Sequence, residues 1–164
     1  MYSFISGTVV EKNPAYVVLD NHGVGYLINI TLNTFTAIGE QQSVKLYVHL
    51  AIREDAHTLY GFYEEEEKSL FLLLTTVPGV GYNTARIILS SLTVAETVNA
   101  ISDNNQKPLQ SVKGIGSKIA QRIIVDLHDK VSKLAVPENE KTSPSYNNIK
   151  DEALSALMVL GFSK

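Results

Sequence analysis

The sequence predicts a β-barrel at the N-terminus followed by a helical domain, and three observations carry that prediction. From Met1 to about Tyr63 the apolar residues fall in short runs separated by turn residues. From Glu64 to about Lys133 they recur at helical spacing, and between 134 and 148 they almost vanish. The resulting boundaries are 1–63 for the barrel, 64–134 for the helical domain, 135–148 for a flexible linker and 149–164 for the opening of a further helical domain.

In the first segment, Tyr2, Phe4 and Ile5 open the chain. Tyr16-Val17-Val18-Leu19 follows Asn13-Pro14, and Tyr26-Leu27-Ile28-Asn29-Ile30 follows His22-Gly23-Val24-Gly25. Runs over 44 to 52 and 58 to 63 complete the set. Each is short, rich in β-branched and aromatic residues, and bounded by residues that turn the chain. Five or six such runs without a helix-length period predict a closed antiparallel barrel of the OB-like kind, in which closure removes exposed strand edges.

The character changes at Glu64-Glu65-Glu66-Glu67, which leads into Leu70-Phe71-Leu72-Leu73-Leu74. Four carboxylates at a helix start complement its dipole, so they read as a capping cluster rather than a metal site. Helices are expected near 64 to 76, 82 to 91, 94 to 103 and 117 to 133, with a short turn at 108 to 112. The stretch with Pro137, Glu138, Asn139, Glu140, Thr142, Ser143, Pro144 and Ser145 has nothing apolar to anchor it and reads as a linker. Beyond it Ile149, Ala153, Leu154, Ala156, Leu157 and Leu160 form one apolar stripe ending at Gly161. A lone helix cannot bury its stripe, so the opening of a third small domain, left unfinished by this sequence, is expected here.

Composition excludes several classes of function. A chain of 164 residues without cysteine has no disulfide framework and no thiolate zinc site, and its N-terminus lacks the basic and apolar regions of a signal peptide. A reducing cytoplasm is expected, and no apolar stretch approaches the roughly 20 residues that span a bilayer. His22, His49, His57 and His128 are too scattered for a metal pattern, and no Gly-x-x-x-x-Gly-Lys-Ser/Thr loop exists for ATP; no cofactor is expected. The formal net charge of -3 excludes a uniformly basic coat but not a local basic patch.

The most informative feature is an internal repeat at a spacing of 35 residues. Val77-Pro78-Gly79-Val80-Gly81-Tyr82-Asn83-Thr84-Ala85 recurs as Val112-Lys113-Gly114-Ile115-Gly116-Ser117-Lys118-Ile119-Ala120, and Ile88 and Leu92 recur as Ile123 and Leu127. A Gly-hydrophobic-Gly turn before a helix lets the backbone open while the middle side chain plugs the core. The turn amides and the first free amides of the helix then face outward together, an anion site suited to a phosphate and indifferent to base sequence. One copy could simply end one helix and begin another; two copies with the same plug and the same following alanine point to paired helix-hairpin-helix grips on DNA. The predicted phosphate-binding set is Gly79, Val80, Gly81, Asn83 and Thr84 in the first copy, and Gly114, Ile115, Gly116, Ser117, Lys118 and Arg122 in the second. Lys118 and Arg122 stand four apart, on one helix face.

With these features the chain resembles RuvA, the family of Holliday junction-binding subunits of the bacterial RuvAB branch-migration complex. The resemblance runs from Met1 to Lys164 and is carried by the barrel, both hairpins, the run from Arg53-Glu54-Asp55-Ala56 through Leu59-Tyr60-Gly61-Phe62, and the ending Ala156-Leu157-Met158-Val159-Leu160-Gly161-Phe162. It implies a homotetramer, or an octamer on DNA, that holds a four-way junction open and planar with two hairpins on each arm. It further implies a RuvB-type hexameric ATPase as motor, a RuvC-type resolvase as a further partner, and a C-terminal UBA-like bundle of which this sequence has the first helix. By the same resemblance Glu54 and Asp55 match an acidic pin at the junction centre, where carboxylates repel phosphates and disfavour a continuous duplex. From the residues alone they are an ordinary polar turn. The sequence departs from the family at Tyr82-Asn83, where proline and lysine are frequent, and at Ser117, where a lysine is common.

Two other functions compete. A helix-hairpin-helix glycosylase or nuclease needs a catalytic Lys or Asp beside a pocket with aromatic walls, and Ser117-Lys118-Ile119-Ala120-Gln121-Arg122 offers no aromatic residue. A single-strand binder needs aromatics along a basic groove; Tyr2, Tyr16, Tyr26, Tyr47 and Tyr60 are available, but Lys12, Lys45 and Arg53 are the only strong bases of the barrel segment.

Overall fold

The computed structural model describes residues 2–131. The linker expected at 135–148 and the helix expected at 149–164 lie outside the described residues, as do the last two residues of the helix expected to reach 133.

Five strands form a closed barrel: β1 (Phe4–Lys12), β2 (Tyr16–Asn21), β3 (Val24–Ile30), β4 (Ser43–Ile52) and β5 (His57–Phe62), in the order β1-β2-β3-β5-β4. Alternation places Ile5, Val17, Leu19, Ile28, Ile30, Val44, Leu46 and Val48 inside, all buried in one cluster. The β2–β3 turn puts His22 at φ 50 and Gly23 at φ 87, the left-handed pair of a tight hairpin, with Asp20 Oδ1 accepting from the Gly23 amide at 2.7 Å.

Two details differ from the sequence reading. The barrel is not wholly antiparallel: β3 pairs with β5 in parallel, with Ile28 opposite Leu59 and Ile30 opposite Gly61. The reason is topological, since a closed ring with an odd number of strands cannot alternate direction all the way round and must contain a parallel seam. The second is a helix, α1 (Leu32–Ile38), between β3 and β4. Its seven residues are too few to register as a period; its signals are the cap Thr31, whose hydroxyl accepts from the Thr34 amide, and Gly39 at φ 52 after its end. Ile38 and Phe35 turn into the barrel core.

The helical domain contains α2 (Glu65–Thr75), α3 (Tyr82–Ser91), α4 (Val94–Ser102), α5 (Gln106–Gln110) and α6 (Ser117–Val131). Leu70, Phe71, Leu74, Ile88, Leu89, Ile101, Leu109, Ile123 and Leu127 are fully buried in one core. α4 starts with a reciprocal capping box between Thr93 and Glu96. The Thr93 backbone N–H, with its hydroxyl, holds the Glu96 carboxyl below its ordinary range.

Barrel and helices are joined by directed contacts. Glu67, expected as one of the capping carboxylates, is only 4% exposed. It accepts hydrogen bonds from Thr31 Oγ1 at 2.5 Å and Thr34 Oγ1 at 2.7 Å, and the Thr34 hydroxyl accepts from the Tyr63 amide at 3.0 Å. Four residues into the acidic run, the helix has turned this side chain away from water and onto α1. Burial raises its pKa, against the two threonine hydroxyls that favour the charged form. Asn33 Nδ2 donates to the carbonyls of Leu89 and Leu92 at the end of α3, at 2.6 and 3.0 Å.

A ring cluster completes the seam: Tyr82 lies 5.6 Å from Tyr60, 5.4 Å from His49 and 6.0 Å from Phe71. His49 Nε2 is buried without a hydrogen-bond partner among the described residues, and desolvation, helped by Lys68, lowers the pKa of the ring.

Candidate nucleic-acid interface

The two glycine loops have the same backbone construction. In the first, between α2 and α3, the Val80 amide donates to Val77 O at 2.9 Å and the Ala85 amide to Gly81 O at 2.9 Å. In the second, between α5 and α6, the Ile115 amide donates to Val112 O at 3.0 Å and the Ala120 amide to Gly116 O at 3.0 Å. Gly79 has φ 94 and Gly114 φ 89, the left-handed region that a side chain strains, so glycine at these two positions sets the turn. Val80 and Ile115 are buried, and Ala85 and Ala120, in the first turn of α3 and of α6, are fully buried.

This construction corrects part of the sequence reading. Val80 and Ile115 fill the core with their side chains as expected, but their amides, expected among the phosphate donors, close the turns instead. The donors left over are the amides of Gly79, Gly81, Tyr82, Asn83 and Thr84 in the first copy and of Gly114, Gly116, Ser117, Lys118 and Ile119 in the second. None of these ten amides has an acceptor among the described residues. They belong to the turn and to the first turn of a helix, where unpaired N–H groups and the helix dipole add.

Gly81 and Gly116 do a different job from Gly79 and Gly114. Gly81 has φ -84 and ψ 173, an extended conformation open to any residue, and Gly116 is not among the positive-φ glycines. A methyl group at any of the four would meet no atom within 4 Å. The missing side chain at 81 and 116 is therefore required neither by backbone strain nor by internal crowding, and it leaves the loop surface clear.

The side chains around the loops are unequal. Asn83 is exposed and Thr84 half-buried; Ser117, Lys118 and Arg122 are exposed. The Arg122 side chain lies 3.8 Å from the Asp126 carboxylate one turn on, a surface pair that leaves it accessible. Sequence reasoning passes over Arg86. Its guanidinium donates to Ala15 O in the β1–β2 turn at 2.9 Å and to Asn83 Oδ1 at 3.2 Å, tying the first hairpin helix to the barrel. The i, i+3 spacing to Asn83 is the available signal.

Glu54 and Asp55 are exposed at the tip of the β4–β5 hairpin, which the Arg53 amide closes onto Ala56 O at 2.9 Å. Arg53 itself lies over the Tyr82 ring at 5.8 Å, linking the acidic tip to the first residue of α3. The barrel tyrosines are divided among separate contacts: the Tyr16 hydroxyl donates to Glu11, Tyr2 packs edge-on against Tyr26, Lys45 covers Tyr47, and Tyr60 stacks on Tyr82. No helix among the described residues is long and apolar enough to cross a membrane.

A small five-stranded OB-like barrel joined to one helical core that carries the same loop twice defines a tandem helix-hairpin-helix protein. Comparison with known proteins agrees in both halves: residues 1–61 match the RuvA N terminal domain and residues 71–129 match the SAM-like helix-hairpin-helix tandem. The chain is 49% identical to a protein of Christiangramia forsetii over 164 residues, covering 100% of this chain and 84% of that protein. It is 48% identical to one of Bacteroides fragilis over 170 residues (99% and 85%), and 50% identical to one of Flavobacterium psychrophilum over 162 residues (99% and 83%). All three are named Holliday junction branch migration complex subunit RuvA. The chain belongs to the RuvA family.

Proposed function

We propose that this protein binds four-way DNA junctions by their shape, without reading sequence, as the non-catalytic subunit of a branch-migration complex in recombination and repair. The observation that carries this reading is the pair of identically built loops, each presenting unpaired amides on a surface kept clear by glycine. Amides without acceptors beside a helix N-terminus suit phosphate oxygens, and phosphates are common to every sequence. Two loops on one core suit two strands of one duplex arm. The name of the relatives supplies the kind of DNA.

The acidic tip gives the complementary half. Glu54 and Asp55 carry like charge to DNA, and their exposed position on a closed hairpin lets them disfavour continuous duplex while leaving separated strands undisturbed. The assembly we assign is a homotetramer around the junction, or two tetramers enclosing it, so that four copies serve four arms. A RuvB-type hexameric ATPase drives movement and a RuvC-type resolvase is a further partner, all in the cytoplasm. We divide the work as residues 1–63 for the barrel with its tip, 64–134 for the grips, 135–148 for the tether and 149–164 for the approach to the motor.

The test is a gel shift on an immobile four-way junction beside linear duplex of equal length, at several stated salt concentrations. The reading expects preference for the junction, affinity that falls steeply with salt as counterions are released, and intact DNA strands afterwards. Equal affinity for both DNAs, or binding insensitive to salt, would refute it.

A further inference from the structure

The two hairpins carry their positive charge at different places, and the structure explains the difference. At the second position of the hairpin helix the first copy has Asn83 where the second has Lys118; at the fifth position the first has Arg86 where the second has Gln121. The two exchanges compensate in charge. Arg86 is also held: its guanidinium reaches Ala15 O at 2.9 Å and Asn83 Oδ1 at 3.2 Å. Because Asn83 Oδ1 faces a cation, its Nδ2 points to the other side, where it has no acceptor among the described residues. Thr84 N and Asn83 N, unpaired, lie in the same helical turn.

We propose that Arg86 is the cation of the first hairpin and acts through Asn83, turning the asparagine amide toward a DNA phosphate and polarising it, in the role that Lys118 fills directly in the second hairpin. Arg86 is a positioning residue in this scheme. The hydrogen bond from its guanidinium strengthens the N–H donors of the amide it touches, and its full charge, one turn behind the loop, attracts the same phosphodiester. This rests on the reading of the loops as phosphate grips.

The experiment is the salt dependence of junction binding by the full chain for Arg86→Gln, Lys118→Gln, Asn83→Ala and the double variant Asn83→Lys with Arg86→Gln, each checked by thermal melting. Arg86→Gln and Lys118→Gln should each flatten the plot of log affinity against log salt, by about 0.9 for every phosphate that is no longer neutralised. Asn83→Lys in the Arg86→Gln background should restore the slope, while any fall in melting temperature from the severed tether to Ala15 persists. Asn83→Ala keeps that tether and should weaken binding about tenfold at fixed salt for each grip it disarms. A slope lowered by Lys118→Gln but not by Arg86→Gln, or unchanged affinity in Asn83→Ala, overturns the assignment of Arg86 alone. Slopes unmoved by either charge removal overturn the phosphate-grip reading and this inference with it.

Discussion

Adding one methyl group at Gly79 and one at Gly81, two residues apart in the same loop, should damage the protein in opposite ways. Gly79 stands at φ 94, so Gly79→Ala strains the backbone although no neighbour lies within 4 Å of the new methyl. Left-handed geometry costs an alanine about 1–2 kcal/mol, and the melting temperature should fall by roughly 3 to 10 °C. Gly81 is extended at φ -84, ψ 173 and equally uncrowded, so Gly81→Ala strains no backbone and loses only glycine's advantage over alanine at the N-cap of α3. That loss opposes the gain of about 0.4–1 kcal/mol from the less flexible unfolded chain, so stability should stay nearly level. Its methyl, however, projects from the exposed loop that leads into the unpaired amides of Tyr82, Asn83 and Thr84, where a phosphate would have to approach. Loss of one hydrogen bond to a charged phosphate is worth about 1.5–3 kcal/mol, or roughly 10- to 150-fold in affinity for each grip. The assay pairs a thermal melt with junction affinity at one salt concentration, and Gly116→Ala repeats it in the second loop. A Gly81→Ala protein that melts normally and binds like the wild type would refute the argument that the glycine keeps the surface clear for DNA.

Three further outcomes follow from other parts of the molecule. Glu54→Gln with Asp55→Asn should narrow the preference for junction over duplex with little effect on melting, since both side chains are exposed; unchanged discrimination removes their proposed role. Gly61→Ala should lower the urea midpoint by the equivalent of about 1–3 kcal/mol with the slope preserved. Its Cβ would fall 2.4 Å from Ile28 Cγ2 and 3.4 Å from Leu46 Cδ1 inside the barrel, and an unchanged midpoint would contradict that crowding. For Glu67, burial raises the folded-state pKa above the ordinary 4.5, so the native state holds its proton more tightly than the unfolded chain. Stability relative to Glu67→Gln should therefore be greatest below about pH 4.5 and decline as pH rises through the raised value, read from urea melts across that window; a difference that grows with pH would reverse the assignment.

Much of the fold could be read from the residues because it is written in local periods. Alternating runs mark the five strands, and the jump to helical spacing at Glu64 marks the helices. What escaped depended on closure and on contacts distant in sequence. The parallel seam between β3 and β5 follows from counting strands around a ring, which no single strand reveals. The helix Leu32–Ile38 is too short for a period, and Glu67 reads as one more surface glutamate until Thr31 and Thr34, more than thirty residues away, are brought to it. At the candidate interface the repeat located both loops, but it could not say that Val80 and Ile115 spend their amides on the turn. Nor could it show that Arg86 bridges to Ala15, a contact across 71 positions.

The helices leading into the two loops differ in length: eleven residues in α2 and five in α5. A five-residue helix lies far below the length that is stable alone, so α5 exists because Leu109 and the adjoining Val112 are buried in the common core. At eleven residues α2 is itself near the marginal length, so both loops depend on the shared core for their shape, and the second depends on it more completely. Of the two loops, the second owes its shape more to the residues buried beneath it than to the helix before it.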